Sequence, residues 1–201
     1  MTTARPKKLT THPGWLRTTH WLNAVAVAVM IMSGWQIYNA SPIFPFGFPR
    51  AITLGGWLGG ALLWHFAAMW LLVANGLFYL VMSVSTGRFR RQLFPLRLRE
   101  VWHDFQSALR GKLSHDDLTH YNAVQKLAYL VAIVDLVVIV LSGLVIFKPV
   151  QFSHLRVLMG GYDNARVVHF VGMSILVGFV LVHVLMAAAV PRTILAMIRG
   201  R

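Results

Sequence analysis

Four of the nine histidines, His20, His65, His169 and His183, stand inside long apolar runs, where an ionisable ring is uncommon. Neutral imidazole is an axial ligand for haem iron, which the protein then tunes through ligand and burial. His169 and His183 lie 14 residues apart. In an α-helix that spacing is about 40° short of four full turns, so both rings leave on nearly one face, about 21 Å apart along the axis. This is roughly two-thirds of a bilayer's hydrocarbon thickness. One helix can thus give a ligand to each of two stacked haems. The chain has no cysteine. Disulfides, thiolate-held iron–sulfur clusters and covalent haem attachment through a C-x-x-C-H run are therefore excluded.

The elements that must carry these rings are visible as four apolar runs: Trp15–Tyr38, Thr53–Val84, Tyr121–Phe147 and Val167–Val190. Each is long enough to cross a membrane as a helix, at about 20 residues per crossing. Hydrophobic residues make up 57% of the 201-residue chain and charged residues only 12%. A soluble domain is not this apolar, so the class is integral membrane protein. The expected fold is all-α, a four-helix membrane bundle with an amphipathic surface helix between helices 2 and 3. It forms a single membrane domain over residues 1–201, with no room for a soluble catalytic domain. The first run is too long for the apolar part of a signal peptide.

Charge sets the orientation. The formal net charge is +13. The N-terminal tail through Arg17, the segment from Thr86 to Lys126 and the C-terminal tail hold 15 Lys and Arg; the other two loops hold 4. The positive-inside rule puts both termini and the long central segment in the cytoplasm, in a bacterial inner membrane. Basic charge sorted by membrane side argues for anionic lipid headgroups as its partner, not nucleic acid. With this orientation His20 and His183 lie in the cytoplasmic half and His65 and His169 in the outer half. Two haems with two histidines each would use all four, paired His20 with His183 and His65 with His169.

Other features follow in chain order. Gly34 lies 14 residues after His20, on nearly the same helix face, and leaves room for something flat or for ordinary packing. Gly55–Gly60 opens helix 2 and would allow close helix approach. Residues 89–120 alternate Leu, Trp and Phe with Arg and Lys, the pattern of a helix lying on the cytoplasmic leaflet. A short amphipathic piece is expected around Leu155–Met159, and helix 4 is expected to stop at Pro191-Arg192. Asp135 falls near mid-membrane in helix 3, where a hydrogen bond to a neighbouring helix is the ordinary role and a proton path the functional one. His12, His103, His115, His120 and His154 belong to tails and loops and read as solvated surface; His120 is close enough to the inner level for a proton relay.

The motifs Arg17–Asn23 (Arg-Thr-Thr-His-Trp-Leu-Asn), Tyr121–Lys126 (Tyr-Asn-Ala-Val-Gln-Lys) and His169-x13-His183 resemble the prokaryotic cytochrome b561 superfamily. This group includes cytochrome b subunits of nickel–iron hydrogenases, formate dehydrogenases and thiosulfate reductases. The resemblance covers nearly the whole chain. Residues 121–150 with Gly160-Gly161-Tyr162 and Arg166 are most similar to the thiosulfate reductase type. It implies two haem b groups, with helix 4 giving each a ligand, helix 1 completing the cytoplasmic site and helix 2 the outer one. It also implies an exchangeable quinone near Asn122, with Gln125 one turn along, and an extracytoplasmic partner, commonly a molybdopterin oxidoreductase. Asn122 can donate a hydrogen bond through its amide, and helix N-capping is its ordinary alternative. His115, Asp116, Asp117 and His120 would supply exchangeable protons.

The expected function is a diheme membrane cytochrome carrying electrons between the quinone pool and that partner. A free-standing enzyme meeting superoxide or another small oxidant at the outer haem is the alternative. Lys148, Arg156 and Arg166 on the outward loops suit either an anion funnel or a docking patch. A haem-free structural anchor would require the histidine pairing to be accidental.

Overall fold

The computed structural model describes residues 12–109 and 123–200. Every regular element among them is helical. Four helices are long and apolar enough to cross a membrane: α1 (Gly14–Ala40), α2 (Leu58–Ser85), α5 (Ala123–Phe147) and α7 (Tyr162–Ala189). Their 25–28 residues give about 38–42 Å each at 1.5 Å per residue, enough for a tilted crossing. The short helices are α3 (Arg88–Leu93), α4 (Leu98–Leu109), α6 (Ser153–Leu158) and α8 (Pro191–Arg199), with one 3₁₀ turn at Arg50–Ile52.

The long helices pack as two antiparallel hairpins, α1 with α2 and α5 with α7. Small and polar side chains form each seam: Ala26, Ser33, Ala61 and Ala68 in the first, Ser142, Ala165 and Gly172 in the second. Backbones approach closely there because lipid tails offer no hydrophobic drive, and packing must hold the helices instead. Close backbone contact is concentrated within each hairpin and nearly lacking between them. Side chains bridge the resulting slot. At one rim Tyr38 packs against Phe170 with ring centroids 4.9 Å apart, and Arg166 Nη2 donates to the Ser41 carbonyl at 2.5 Å. Midway, Phe66 meets Phe147 at 4.7 Å. At the other end, which carries both ends of the described chain, Arg17 Nη1 donates to the Ile198 carbonyl at 2.6 Å.

Two expectations about local structure change. Helix 2 begins at Leu58, not at Gly55, because Gly55 and Gly56 take φ of +107° and +71° in a turn. A Cβ on Gly55 would strike the Ala61 backbone, so this glycine serves the turn and not helix–helix approach. The expected single surface helix is two pieces, α3 and α4, separated where Pro95 interrupts helical bonding; residues 110–122 lie outside the described residues. The fourth long helix stops just before Pro191, as expected, and a further short helix follows. Pro191 opens α8, since proline suits the first helical turn. In α8, as in α4, apolar side chains such as Ile194, Leu195 and Ile198 are exposed along one face, as in a helix lying on a lipid leaflet. Asp104 of α4 caps α5 by accepting from the Ala123 amide at 2.8 Å.

Candidate functional site: two histidine pairs between the hairpins

Each hairpin presents histidines to the slot. His20 on α1 meets His183 on α7 with ring centroids 6.0 Å apart at 60°. His65 on α2 meets His169 on α7 with centroids 6.4 Å apart at 64°. The first pair lies toward the end bearing the chain termini, the second toward the opposite, loop-bearing end. In both, one ring comes from each hairpin, and α7 supplies a ring to both pairs.

The separation is that of two ligands sharing a metal. Two imidazoles bound at about 2.0–2.1 Å, with ring centres about 1.2 Å behind each nitrogen, stand about 6.4 Å apart. The surroundings fit a flat macrocycle as well. The slot between hairpins has little backbone contact, and glycines stand beside the loop-end rings: Gly34 next to His65 and Gly143 next to His169. Gly34 therefore stands beside the loop-end pair, on the helix face it shares with His20.

Each ring is held in place. Ser33 Oγ lies 3.0 Å from His65 Nδ1. Ser142 Oγ lies 3.1 Å from His169 Nδ1, with the Ile139 carbonyl at 3.0 Å. At the terminal end, aromatic contacts do the holding: Trp21 meets His20 edge-on at 5.3 Å, and Phe179 stacks on His183 at 5.8 Å and 12°. Among the described residues no fourth ligand type clusters with the histidines; no group of three His, Cys, Asp or Glu could hold a bare metal ion. The donor set suits an iron already equatorially bound in a porphyrin.

The remaining sequence candidates distribute as follows. Asn122, His115, Asp116, Asp117 and His120 lie outside the described residues. Gln125 sits in the first turn of α5 and is exposed. An open cleft of about 500 Å³ at the terminal end lies between α1 and α8, lined by Arg17, Thr18, Trp21, Leu22, Val25 and Ile198 among others. His12 is not solvated surface: it is half-buried, and its Nδ1 is buried without a partner. Burial, then the positive charges of Arg88 and Arg17 and the nearby His20, push its pKa below the ordinary histidine value. Asp135 is buried against Gly172 of α7, and among the described residues its Oδ2 has no hydrogen-bond partner. Sequence reasoning missed Ser33, Ser142 and Asn75, although the Ser-Gly dipeptide at 33–34 and again at 142–143 was there to find.

The family model described as prokaryotic cytochrome b561 matches residues 11–200. The chain belongs to this family. It is a multi-pass bacterial inner-membrane protein, a cytochrome b561-type electron-transfer subunit whose family cofactor is haem b. It is 65% identical over 189 residues to a putative protein-methionine-sulfoxide reductase subunit, YedZ1, of Azospira oryzae, covering 94% of this chain and 96% of the relative. It is 24% identical over 185 residues to a probable Ni/Fe-hydrogenase B-type cytochrome subunit of Cupriavidus necator, covering 84% of this chain and 74% of that relative. No solved structure matches the chain. Both relatives bear the names of oxidoreductase subunits.

Proposed function

We propose that residues 1–201 form one diheme cytochrome b domain that carries electrons between the quinone pool and an extracytoplasmic oxidoreductase. His20 with His183 and His65 with His169 would each hold one haem b. The observation that carries this reading is the pair of ring separations, 6.0 and 6.4 Å, each spanning two hairpins whose backbones otherwise stand apart. When bound, the haems supply one-electron transfer. The chain orients the four imidazoles, keeps their surroundings apolar and fixes the distance between the two sites. With the termini in the cytoplasm by charge, the His20/His183 pair lies inside and the His65/His169 pair outside.

Quinone would meet the inner end. Asn122 and Gln125 are the proposed hydrogen-bond donors, and the α1–α8 cleft beside Trp21 gives an apolar entrance. The outer partner is proposed to be of the molybdopterin type, and the relationship to YedZ1 makes protein-bound methionine sulfoxide the proposed terminal substrate. Histidine-to-alanine substitution at each position, followed by haem quantification and redox-titrated spectra of the purified protein, tests the ligand set. His20→Ala and His183→Ala should remove one spectral component, and His65→Ala and His169→Ala the other. Removal of one common component by His20→Ala and His65→Ala would refute the pairing. Co-purification of a soluble reductase tests the partner; activity of the isolated chain toward superoxide would favour the free-standing alternative.

A further inference from the structure

The loop-end histidines are supported by one device built twice. Ser33-Gly34 on α1 serves His65 on α2, and Ser142-Gly143 on α5 serves His169 on α7. Both serines are fully buried. Each hydroxyl turns back on its own helix, Ser33 Oγ to the Val29 carbonyl at 2.6 Å and Ser142 Oγ to the Val138 carbonyl at 2.8 Å. In both cases that carbonyl lies four residues earlier. A hydroxyl has one proton and two acceptor lone pairs. With the proton committed to the carbonyl, the oxygen faces the imidazole as an acceptor, and Nδ1 must carry the hydrogen.

At His169 a second acceptor adds to this: the carbonyl of Ile139, three residues before Ser142, lies 3.0 Å from His169 Nδ1. Each Nδ1–H thus faces a hydroxyl oxygen, joined at His169 by a main-chain oxygen, which leaves Nε2 as the free nitrogen of both rings. The adjoining glycines let the rings lie close, with Cε1 only 3.5 Å from a Cβ built on Gly34 and 3.2 Å from one built on Gly143. Among the described residues, no such hydrogen bond reaches His20 or His183, which are held by aromatic packing.

We propose that Ser33 and Ser142 are positioning residues that fix the Nδ1–H tautomer of the loop-end pair and lower the midpoint potential of the haem bound there. The inference rests on the reading that this pair ligates a haem. An Nδ1–H donated to oxygen makes the other nitrogen a more basic ligand, and a more basic ligand favours the ferric state. Two such bonds at the loop-end pair, and none among the described residues at the other, would make the outer site the electronically adjusted one.

The test uses the full-length protein with Ser33→Ala, Ser142→Ala, the double variant, and Ser33→Thr and Ser142→Thr. Haem per protein is measured first, then both midpoints by redox titration, then the low-spin ferric EPR signal, which reports ligand orientation. Each alanine variant should retain two haems and raise one midpoint only. The double variant should raise it furthest, by at least a tenfold change in the ferric-to-ferrous ratio, about 59 mV for one electron. The threonine variants should return the midpoint toward wild type. Loss of the haem in alanine variants with recovery in threonine variants also supports positioning. Unmoved midpoints with both haems present, equal movement of both, or haem loss in alanine and threonine variants alike overturns the proposal. Failure of the underlying reading looks different: His65→Ala would then leave both spectral components in place.

Discussion

Asn75 of α2 donates to the main-chain carbonyl of Thr19 at 2.8 Å and to the side-chain oxygen of Asn23 at 2.7 Å. Thr19 immediately precedes His20, so one buried amide ties the second helix to the turn that aims the terminal-end histidine. Both of its protons are used. Asn75→Ala should cost about 1–3 kcal/mol, the price of leaving buried acceptors unpaired. Thermal unfolding in detergent should show the loss. The His20/His183 spectral component should broaden or fall while the other stays. An equal loss of both components would place Asn75 in general hairpin stability instead.

The two glycines beside the loop-end rings differ in a way that can be measured. A methyl on Gly34 would meet His65 Cε1 at 3.5 Å, ordinary contact, while one on Gly143 would meet His169 Cε1 at 3.2 Å, which forces the ring to shift. Alanine also favours a helix interior over glycine by up to about 1 kcal/mol. Gly34→Ala should therefore hold or raise the unfolding temperature of the haem-free protein. Gly143→Ala should gain nothing and should displace the loop-end haem signal. The reverse order of effects would show that the open space beside Gly34 matters more than the contact beside Gly143.

His12 gives a stability that depends on pH. Its folded pKa is held below the ordinary histidine value by burial and by Arg88, with His20 and Arg17 adding to it. Above about pH 6.5 the ring is neutral whether folded or unfolded, and it contributes no pH dependence. As pH falls below that value the unfolded chain binds the proton first, so stability declines until the folded pKa is passed and then levels off. His12→Gln should flatten that part of the profile between pH 7 and 5. An unchanged slope would show that other groups carry it.

The four crossings were legible because 25–28-residue apolar helices leave an unmistakable composition, and the histidines stood out as polar rings within them. Depth alone matched His20 with His183 and His65 with His169, and the structure brings those rings together. What the sequence hid depends on which helix meets which. Ser33 and Ser142 look like ordinary back-bonding serines until α1 is known to pack on α2 and α5 on α7. Periodicity put Gly34 on the face of His20, but could not name its neighbour across the seam, which is His65. The helix after Pro191 was missed because proline reads as a stop, and only its position at the first turn makes it a start.

Asp135 poses the sharpest question left in the α5–α7 seam. Its carboxyl lies beside Gly172, three residues after His169, and one turn before Ile139, whose carbonyl accepts from His169. Its Oδ2 has no hydrogen-bond partner. An ionised carboxylate at mid-membrane costs about 2.5–3.5 kcal/mol or more, so the position is tolerated only with help or for use. Among the described residues no hydrogen-bond donor meets its Oδ2. Asp135→Asn keeps the shape and removes the ionisable oxygen. Thermal stability should hold or rise, both haems should remain, and quinol-driven reduction should stay within a few-fold of wild type. The decisive measurement is that rate in protein with both haems verified. A large loss with intact spectra, recovered by Asp135→Glu, would assign the carboxyl to proton movement beside the loop-end site.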